Sequence, residues 1–243
     1  MRNWNFFNEN AVMYFPRVLA HDKLRGHFES FAPGGAVAGM LARCDEASPV
    51  WAPAKSDEAI LRPGYRPACL VTEDRRMRLA TFGVNTLLTV RSAVRIGVAA
   101  RTLAAGTAGS ADWQYLAARR LGLFIVNSIE RGTRWVAMAQ PHVEVADMVA
   151  SQVRAFFESL HEAQAFGSRR MQDAFFVVCD QRSDFQLVIG FAARAAPGYH
   201  SFRIVHSASG SRVVPASINR LNDANYSPAE LEWVDDLARR LSE

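Results

Sequence analysis

The sequence is poor in cysteine. Its 243 residues include three cysteines, Cys44, Cys69 and Cys179, which lie far apart and form no C-x-x-C pair. A disulfide scaffold needs several cysteines in a short chain, and a structural zinc site needs closely spaced pairs. The sequence therefore predicts three reduced thiols, with Cys179 acting as a small buried apolar residue in the run at 175–179.

Long apolar runs are absent as well. No stretch approaches the roughly 20 consecutive apolar residues that a membrane-spanning helix needs. The first ten residues, MRNWNFFNEN, lack the charged-then-apolar layout of a secretory signal. We therefore expect no membrane insertion and maturation in the cytoplasm where the chain is made. A chain of this length can bury a large core, as one large domain or two small ones.

Concentrated charge is also missing. The formal net charge is +4 and the pI is about 9.2, but the arginines are dispersed apart from short clusters at 75–78 and 169–170. Nucleic-acid-binding proteins usually concentrate basic residues on one face, often with aromatic residues between them. The sequence therefore favours solvated faces and ion pairs over a direct nucleic-acid contact.

Catalytic and ligand-binding motifs are absent from the sequence. His142 and Glu144 have no H-E-x-x-H partner, and the glycines of 34–39 lack the lysine and serine or threonine of a phosphate-binding loop. Residues 106–110 contain no G-x-S-x-G turn. Asp235 and Asp236 are adjacent on a predicted helix, so their carboxylates diverge. The sequence predicts no catalytic, cofactor-binding or metal-binding residue and no cofactor; an α/β enzyme with a site assembled from distant residues is a remote alternative.

The hydrophobic pattern predicts an α/β (α+β) fold, with a mixed β-sheet flanked by helices. Two long amphipathic helices are predicted at 118–131 and 143–165, the second with Met148, Val149, Val153 and Phe156 among its buried residues. A short strand is predicted between them at 135–138. Further strands are predicted, with boundaries at 10–20, 86–90, 94–100, 174–179, 185–191 and 199–206.

The remaining elements follow from small residues, proline and capping signals. A helix rich in alanine and glycine is predicted at 36–43, a proline-containing surface strap at 45–66 and a helical turn at 74–79. The S-P-A-E sequence at 227–230 is a capping box with proline at the first helical position. It predicts a terminal amphipathic helix, whose apolar face comprises Leu231, Val234, Leu237 and Leu241.

Four short motifs occur in order at matching spacings. They are ARTL at 100–103, WQY at 113–115 followed by two arginines, SIERGTRW at 128–135 and AFFVVCD at 174–180. Taken together they resemble the C-terminal domain of the contractile tail sheath family, found in myophages and related injection particles. Four N-terminal motifs extend the resemblance, which covers about residues 11–206: YFP at 14–16, GAVAG at 35–39, VWAP at 50–53 and FGVN at 82–85.

The resemblance implies a structural role and no enzymatic activity. A sheath of this family stacks as hexameric rings around a tail tube and contracts to drive the tube through a cell envelope. Terminal arms add strands to the sheets of neighbouring copies. The implied partners are other copies of this chain, the tail tube protein, and the baseplate and tail-terminator proteins. The implied location is the virion tail, assembled in the host cytoplasm.

The same resemblance suggests a three-part division and a set of contact residues. Residues 1–20 are expected to be an N-terminal arm or edge strand, 21–198 the sheath core, and 199–243 a C-terminal strand, arm and helix. The candidate contacts to other subunits or to the tube are charged residues on or near the two long helices: Arg119, Arg120, Glu130, Arg131 and Glu158.

Several departures from the family pattern leave alternatives open. Gln140-Pro141-His142 replaces the usual Glu-Pro-Asn, the insertion after the strand ending at Asp180 is shortened, and a tail follows residue 206. Family sheaths are also usually much longer. The alternatives are a minor sheath-like paralogue at the tail end or baseplate, or a sheath component of a secretion system.

Overall fold

The fold is taken from a computed structural model that describes residues 7–52, 59–90, 93–96, 100–106, 113–139, 143–180, 185–194 and 199–216. Contacts within the chain divide it into two compact units, Met1–Leu121 and Gly122–Glu243. The terminal helix predicted from residue 227 lies outside the described residues. In the part of the chain that is described, no helix combines the length and the apolar character needed to cross a membrane.

The first unit contains two three-stranded sheets. Its elements are β1 (Met13–Phe15), β2 (Val18–Asp22), β3 (His27–Phe31), α1 (Gly34–Ala47), β4 (Arg66–Pro67), α2 (Glu73–Thr81), β5 (Val84–Val90), β6 (Ala93–Ile96) and a 3-10 helix (Leu103–Gly106). One sheet has the order β1-β5-β6, in which β1 is parallel and β6 antiparallel to β5. The other has the order β3-β2-β4 and is antiparallel throughout.

Helix α1 and strands of both sheets share one core. Val37, Met40 and Cys44 recur at helical spacing and give α1 a single buried stripe. They cluster with core residues contributed by the strands and by the residues before β4: Val18, Ala59, Leu61, Leu87, Val94 and Ile96. The helix predicted at 36–43 is therefore present and extends further in both directions.

Two strands replace the single extended segment predicted at 10–20. Strand β1 ends before Pro16, and β2 begins at Val18 in the other sheet. Strand β3 was not predicted. It is joined to β2 by a tight turn in which the amide of Gly26 donates to the carbonyl of Asp22 at 2.8 Å and Gly26 has a φ of +73°. Glycine suits this turn because a left-handed backbone conformation costs it little.

The second unit is a four-stranded antiparallel sheet with helices. Its elements are α3 (Leu116–Thr133, within which the division between the units falls), a 3-10 helix (Arg134–Met138), α4 (Val143–Glu162), α5 (Met171–Ala174), β7 (Phe175–Asp180), β8 (Phe185–Phe191), β9 (His200–Ser207) and β10 (Gly210–Ala216). The strand order is β10-β9-β8-β7, so strands consecutive in sequence pair in space. The strands predicted at 174–179, 185–191 and 199–206 are present as β7, β8 and β9, whereas β10 was not predicted.

An aromatic cluster fills the core between α4 and the sheet. Phe157 is fully buried, and its ring centroid lies 5.0 Å from that of Phe175 and 5.8 Å from that of Phe166. The sequence placed Phe156 and Met148 in the buried stripe, but Phe156 is half-buried and Met148 is 52% exposed. The buried face of α4 therefore keeps Val149 and Val153 as predicted, but Phe157 and not Phe156 packs against the ring of Phe175 in β7.

The short strand predicted at 135–138 is wrong. Residues Arg134–Met138 form a 3-10 helix that continues directly from α3. Val136 is buried, while Met138 is 95% exposed. Apolar residues in sequence suggested a strand, but a strand needs a neighbour to satisfy its backbone. Here the turn closes on itself, because the amide of Ala139 donates to the carbonyl of Val136 at 3.0 Å.

The predicted fold class is confirmed in its main features. The chain combines helices with mixed sheets in an α+β fold. Within the described residues, the strands lie in three sheets.

Candidate functional site

Asn85 joins three segments of the first unit through its side-chain amide. This residue is buried in β5 and belongs to the FGVN motif. Its Nδ2 donates to the backbone carbonyls of Met13 at 3.1 Å and Arg101 at 2.8 Å, and its Oδ1 accepts from the Arg101 amide at 2.7 Å. Both ends of the amide are thus used, which is how a buried polar side chain avoids an unsatisfied group.

Thr102 extends this network from the ARTL motif to the WQY motif. Its fully buried hydroxyl donates to the Trp113 carbonyl at 2.6 Å and accepts from the Ala104 amide at 3.2 Å. Its backbone amide donates to the Gln114 carbonyl at 2.8 Å. The neighbouring Leu103 amide donates to the carbonyl of Ala11 at 2.9 Å. Motifs that are far apart in sequence therefore meet in one hydrogen-bonded cluster.

Gly83 allows the chain to approach this cluster closely. Its φ is +74°, and a Cβ at this position would lie against the Thr102 carbonyl oxygen, well inside van der Waals contact. The Thr102 carbonyl belongs to the backbone, so it cannot rotate away as a side chain could. The glycine of the FGVN motif is therefore required both for its conformation and for its lack of a side chain.

Arg119 attaches the residues before β1 to the start of α3. Its Nη2 donates to Asn10 Oδ1 at 2.6 Å and lies 3.0 Å from Glu9 Oε1. Its guanidinium also lies 5.0 Å from the centroid of the Trp113 ring, within cation–π range. The side chain is only 12% exposed. Burial lowers the pKa of Arg119, and the nearby carboxylate of Glu9 partly offsets that effect. We call Asn85, Thr102 and Arg119 the N-terminal anchor.

Arg120, the next residue of α3, also binds a residue of its own chain. It forms an ion pair with Asp45 at the end of α1. The phenol of Tyr14 lies nearby: burial raises the pKa of Tyr14 to about 12, and the positive charge of Arg120 acts in the opposite direction. The Tyr14 hydroxyl is buried and has no hydrogen-bond partner among the described residues.

The three predicted contact residues of the second unit differ in their surroundings. Glu130 accepts two hydrogen bonds from Arg134, at 2.8 and 2.7 Å, and these lower the pKa of its carboxyl group. Arg131 is exposed and Glu158 is half-buried. Within the described ranges, neither Arg131 nor Glu158 has a side-chain hydrogen bond or ion pair.

The structure therefore sorts the five predicted residues into two groups. Arg119, Arg120 and Glu130 are held by partners in their own chain, whereas Arg131 and Glu158 are available for other contacts. Sequence analysis assigned no role to Asn85 and Thr102, although it singled out the motifs that contain them. The signal that was available is chemical, because an asparagine inside an apolar strand needs a buried partner.

Two clefts lie in the second unit of the described chain. The larger cleft, of about 540 Å³, is lined by Arg154, Arg170, Met171, Gln172 and Phe175. A smaller groove of about 150 Å³ lies between α3 and α4, with Ile129, Val153 and Phe156 in its lining. Neither lining combines a nucleophile with a base. Among the described residues, no three His, Cys, Asp or Glu side chains are placed to hold a metal ion.

The geometry defines an α+β chain in which the buried side chains of Asn85 and Thr102 bind its own backbone. Comparison with solved structures shows which proteins share this fold. No family model matches the chain, and no curated protein matches it. The similarity therefore lies in the three-dimensional structure.

The chain has the fold of contractile sheath proteins. It matches a chain of the contracted sheath complex of the extracellular contractile injection system PVC, with a TM-score of 0.67 and 21% identity over 77% of this chain and 53% of that one. It matches a chain of the anti-feeding prophage (AFP) baseplate with a TM-score of 0.65 and 18% identity, over 77% and 52%.

A phage-type sheath gives a similar result. The sheath tail protein of Desulfitobacterium hafniense matches with a TM-score of 0.52 and 14% identity, over 88% of this chain and 46% of that one. The chain thus spans about half the length of the solved proteins that it matches. The resemblance that the sequence motifs predicted is confirmed at the level of the fold.

Proposed function

We propose that this protein is a structural subunit of a contractile sheath. The observation that carries the proposal is the fold shared with a sheath in its contracted state, at a TM-score of 0.67. The sequence motifs support it independently of the fold comparison. FGVN, ARTL and WQY contain the residues whose hydrogen bonds form the N-terminal anchor, so the three motifs share one structural role. A shared fold alone would be weaker support, since one fold can serve many functions.

In this proposal the subunits polymerise as stacked hexameric rings around a tail tube. Relaxation from an extended to a contracted lattice moves the tube through a cell envelope, with the energy held in contacts between subunits. The sheets offer edges for such contacts: within the described ranges, no strand pairs with the outer side of β10 or of β3. An unpaired edge can accept a strand from a neighbouring copy.

The partners and the location follow from the same proposal. The partners are further copies of this chain, the tube protein, and the baseplate and terminator proteins, and the location is the virion tail after assembly in the host cytoplasm. A non-enzymatic role is supported by the fold shared with sheath proteins. The dispersed arginines support the absence of a direct nucleic-acid contact.

Arg131 and Glu158 are the proposed contact residues toward other subunits or the tube. They carry opposite charges on α3 and α4, and neither charge is neutralised within the described part of the chain. Complementary charges across an interface fix its register and suppress wrong pairings. Arg119, Arg120 and Glu130 already have partners in their own chain, so we assign them to the fold of the subunit.

The alternative is a minor sheath-like protein at the tail end or baseplate, or a sheath component of a secretion system. One observation favours keeping it, because one of the matches is to a chain in a baseplate structure.

Negative-stain electron microscopy of the purified full chain tests the proposal. A sheath subunit is expected to form tubes or rings, whereas dispersed small particles at all concentrations and salt conditions would contradict it. Rings without tubes would favour the minor paralogue. Retention on DNA that falls steeply with salt would instead indicate a nucleic-acid-binding protein.

A truncation tests the predicted N-terminal arm. Deleting residues 1–20 would remove β1 and part of β2, including the buried Val18, so it would disrupt the first unit. Deleting residues 1–7 keeps Glu9 and Asn10, which bind Arg119. We expect this shorter deletion to leave the subunit folded, as judged by circular dichroism, and to prevent growth of tubes. Normal tubes would show that residues 1–7 do not connect neighbouring copies.

A further inference from the structure

His206 is a buried histidine in β9 that links the end of α3 to β10. The residue is 2% exposed. Its Nε2 lies 2.8 Å from Thr133 Oγ1 at the end of α3, and its Nδ1 lies 2.8 Å from Ser211 Oγ in β10. The ring of Phe185 in β8 packs beside it, with the ring centroids 6.0 Å apart. Both ring nitrogens are therefore used, each by a hydroxyl on a different element.

The partners of Thr133 assign the proton on His206. The Thr133 hydroxyl donates its only hydrogen to the Ile129 carbonyl, at 2.7 Å. It can therefore only accept from His206, so Nε2 must carry a hydrogen. In the neutral imidazole Nδ1 is then an acceptor, and the Ser211 hydroxyl must donate to it.

Ser211 faces a second acceptor. Its hydroxyl is close enough to the Glu130 carboxylate to lower the pKa of that group, after the larger effect of the hydrogen bonds from Arg134. A hydroxyl has one hydrogen to donate, so Ser211 cannot serve His206 Nδ1 and Glu130 at the same time. The protonation state of His206 decides which of these two acceptors receives the Ser211 hydroxyl hydrogen. Once Nδ1 carries a hydrogen, it donates to Ser211 Oγ, and the hydroxyl hydrogen turns to Glu130.

The surrounding charges set the pH range. Burial lowers the pKa of His206 from its ordinary value, and the positive charge of Arg134 acts in the same direction. The negative charge of Glu130 acts against them. Ser211 on β10 and Phe185 on β8 carry no charge. The imidazole is therefore neutral at pH 7 and takes up a proton only below the ordinary pKa of histidine, about 6.5.

We propose that His206, Ser211 and Glu130 form a proton-operated latch between the end of α3 and the β9–β10 hairpin. At neutral pH the uncharged imidazole holds the hydroxyls of both elements. At lower pH, uptake of one proton from solvent places a charge in the buried junction and turns the Ser211 hydroxyl hydrogen toward Glu130. The charged junction is weaker because a buried cation loses its hydration. The latch does not depend on the proposed sheath function, since it acts within one unit of one chain.

Nitrogen-15 NMR of the histidine ring in the full chain, recorded between pH 4.5 and 8, tests the proton assignment. We expect the Nε2–H tautomer at pH 8 and an apparent pKa below 6.5. Glu130→Gln removes the negative charge that favours the imidazolium, so it is expected to lower this pKa further. Ser207→Ala, a serine on the same strand that bonds Ser209 and Gly210, is the matched control and is expected to leave the pKa unchanged. An Nδ1–H tautomer, or a pKa at or above 6.5, would overturn the latch.

Hydrogen exchange tests the mechanical consequence. After correction for the intrinsic pH dependence, amide exchange in β9 and β10 is expected to rise between pH 7.5 and pH 5.5, by at most about tenfold for the uptake of one proton. His206→Gln cannot take up a proton in this range, so its exchange should show no such rise. An equal rise in His206→Gln would overturn the latch. If that variant fails to fold, the same comparison with Ser211→Ala, whose rise should be smaller than that of the wild type, decides the question.

Discussion

Asn85 and Arg101 form a pair of hydrogen bonds between one side chain and one backbone. The Asn85 amide nitrogen donates to the Arg101 carbonyl at 2.8 Å, and its oxygen accepts from the Arg101 amide at 2.7 Å. The Asn85 side chain thus makes the two hydrogen bonds with the Arg101 backbone that the backbone of a neighbouring strand would otherwise make. Because Asn85 also reaches the carbonyl of Met13, it fixes the residues before β2 against the segment at 100–103.

The first prediction concerns this amide. Asn85→Asp keeps the size and the acceptor but removes the two donated hydrogen bonds, so it should leave the carbonyls of Met13 and Arg101 unpaired. We expect a loss of about 2–4 kcal/mol in the free energy of unfolding, measured by urea denaturation. Asn8→Asp, at a half-buried position near the start of the described chain, keeps the oxygen that accepts from the Asn10 amide; it is the control and should change stability by less than about 0.5 kcal/mol. Equal effects of the two substitutions would contradict the anchoring role of Asn85.

The second prediction compares two glycines. Gly83→Ala places a methyl group against the Thr102 carbonyl in a left-handed conformation, so it should cost about 2–4 kcal/mol. Gly132 lies inside α3, and a Cβ there meets nothing within 4 Å. Gly132→Ala should therefore stabilise the protein by about 0.5–1 kcal/mol. Thermal unfolding of both variants measures the difference, and a neutral Gly83→Ala would rule out the close approach to Thr102.

The third prediction concerns alkaline pH and Tyr14. The folded-state pKa of this phenol is raised to about 12 by burial, whereas an unfolded tyrosine titrates near 10. The unfolded state therefore loses its proton first, and stability contributed by Tyr14 is present below pH 10 and falls as the pH rises toward 12.

Tyr14→Phe tests this relationship. Because phenylalanine does not titrate, the free energy of unfolding of the variant should fall less than that of the wild type as the pH rises above 10. It should also be more stable at pH 7 by about 1 kcal/mol, because the buried hydroxyl has no partner among the described residues. The measurement is denaturation at pH 7 and pH 11. Tyr115→Phe, which changes a tyrosine whose ring lies under Arg101, is the control. A destabilised Tyr14→Phe would show that the hydroxyl is bonded.

The fourth prediction separates folding from assembly on α3. Arg131 is exposed and makes no ion pair within the described ranges, so Arg131→Glu should change the stability of the subunit by less than about 0.5 kcal/mol. If Arg131 contacts another subunit or the tube, the same variant should form few or no tubes in negative stain.

Arg119→Ala is the counterpart to that variant. It removes the hydrogen bonds to Asn10 and the contact with Trp113, so it should reduce the stability of the subunit by about 1–3 kcal/mol. Arg131→Lys keeps the charge and should assemble normally. Normal tubes from Arg131→Glu would exclude this residue from the interfaces.

Sequence reasoning succeeded where a structure depends on local periodicity. The two long helices were predicted because apolar residues recur at helical spacing, and they are present as α3 and α4. It failed where the choice depends on a distant neighbour. Residues 135–138 have the composition of a strand, yet they form a 3-10 helix because the chain continues into them directly from α3. Strands β3 and β10 have weak apolar patterns, and each exists through pairing with β2 or β9.

The candidate site shows the same limit. The sequence identified the motifs FGVN, ARTL and WQY but gave no role to their polar residues. It predicted Arg119, Arg120 and Glu130 as contacts to other molecules, which stays a prediction, but it did not show that each has a partner in its own chain: Glu9, Asp45 and Arg134 respectively. Charge and helical position can be read from the sequence, but the distance to a partner many residues away cannot.

The amino-acid sequence by itself determined the α+β class, the two long helices, most strands of the second unit and the resemblance to contractile sheaths, because these depend on spacing and short motifs. Only the tertiary structure decided that Asn85 binds Arg101, that His206 lies between Thr133 and Ser211, and that Arg131 stays free of its own chain within the described ranges. The physical reason is that a hydrogen bond requires two groups about 3 Å apart, and folding alone brings residues 16 to 73 positions apart to that distance.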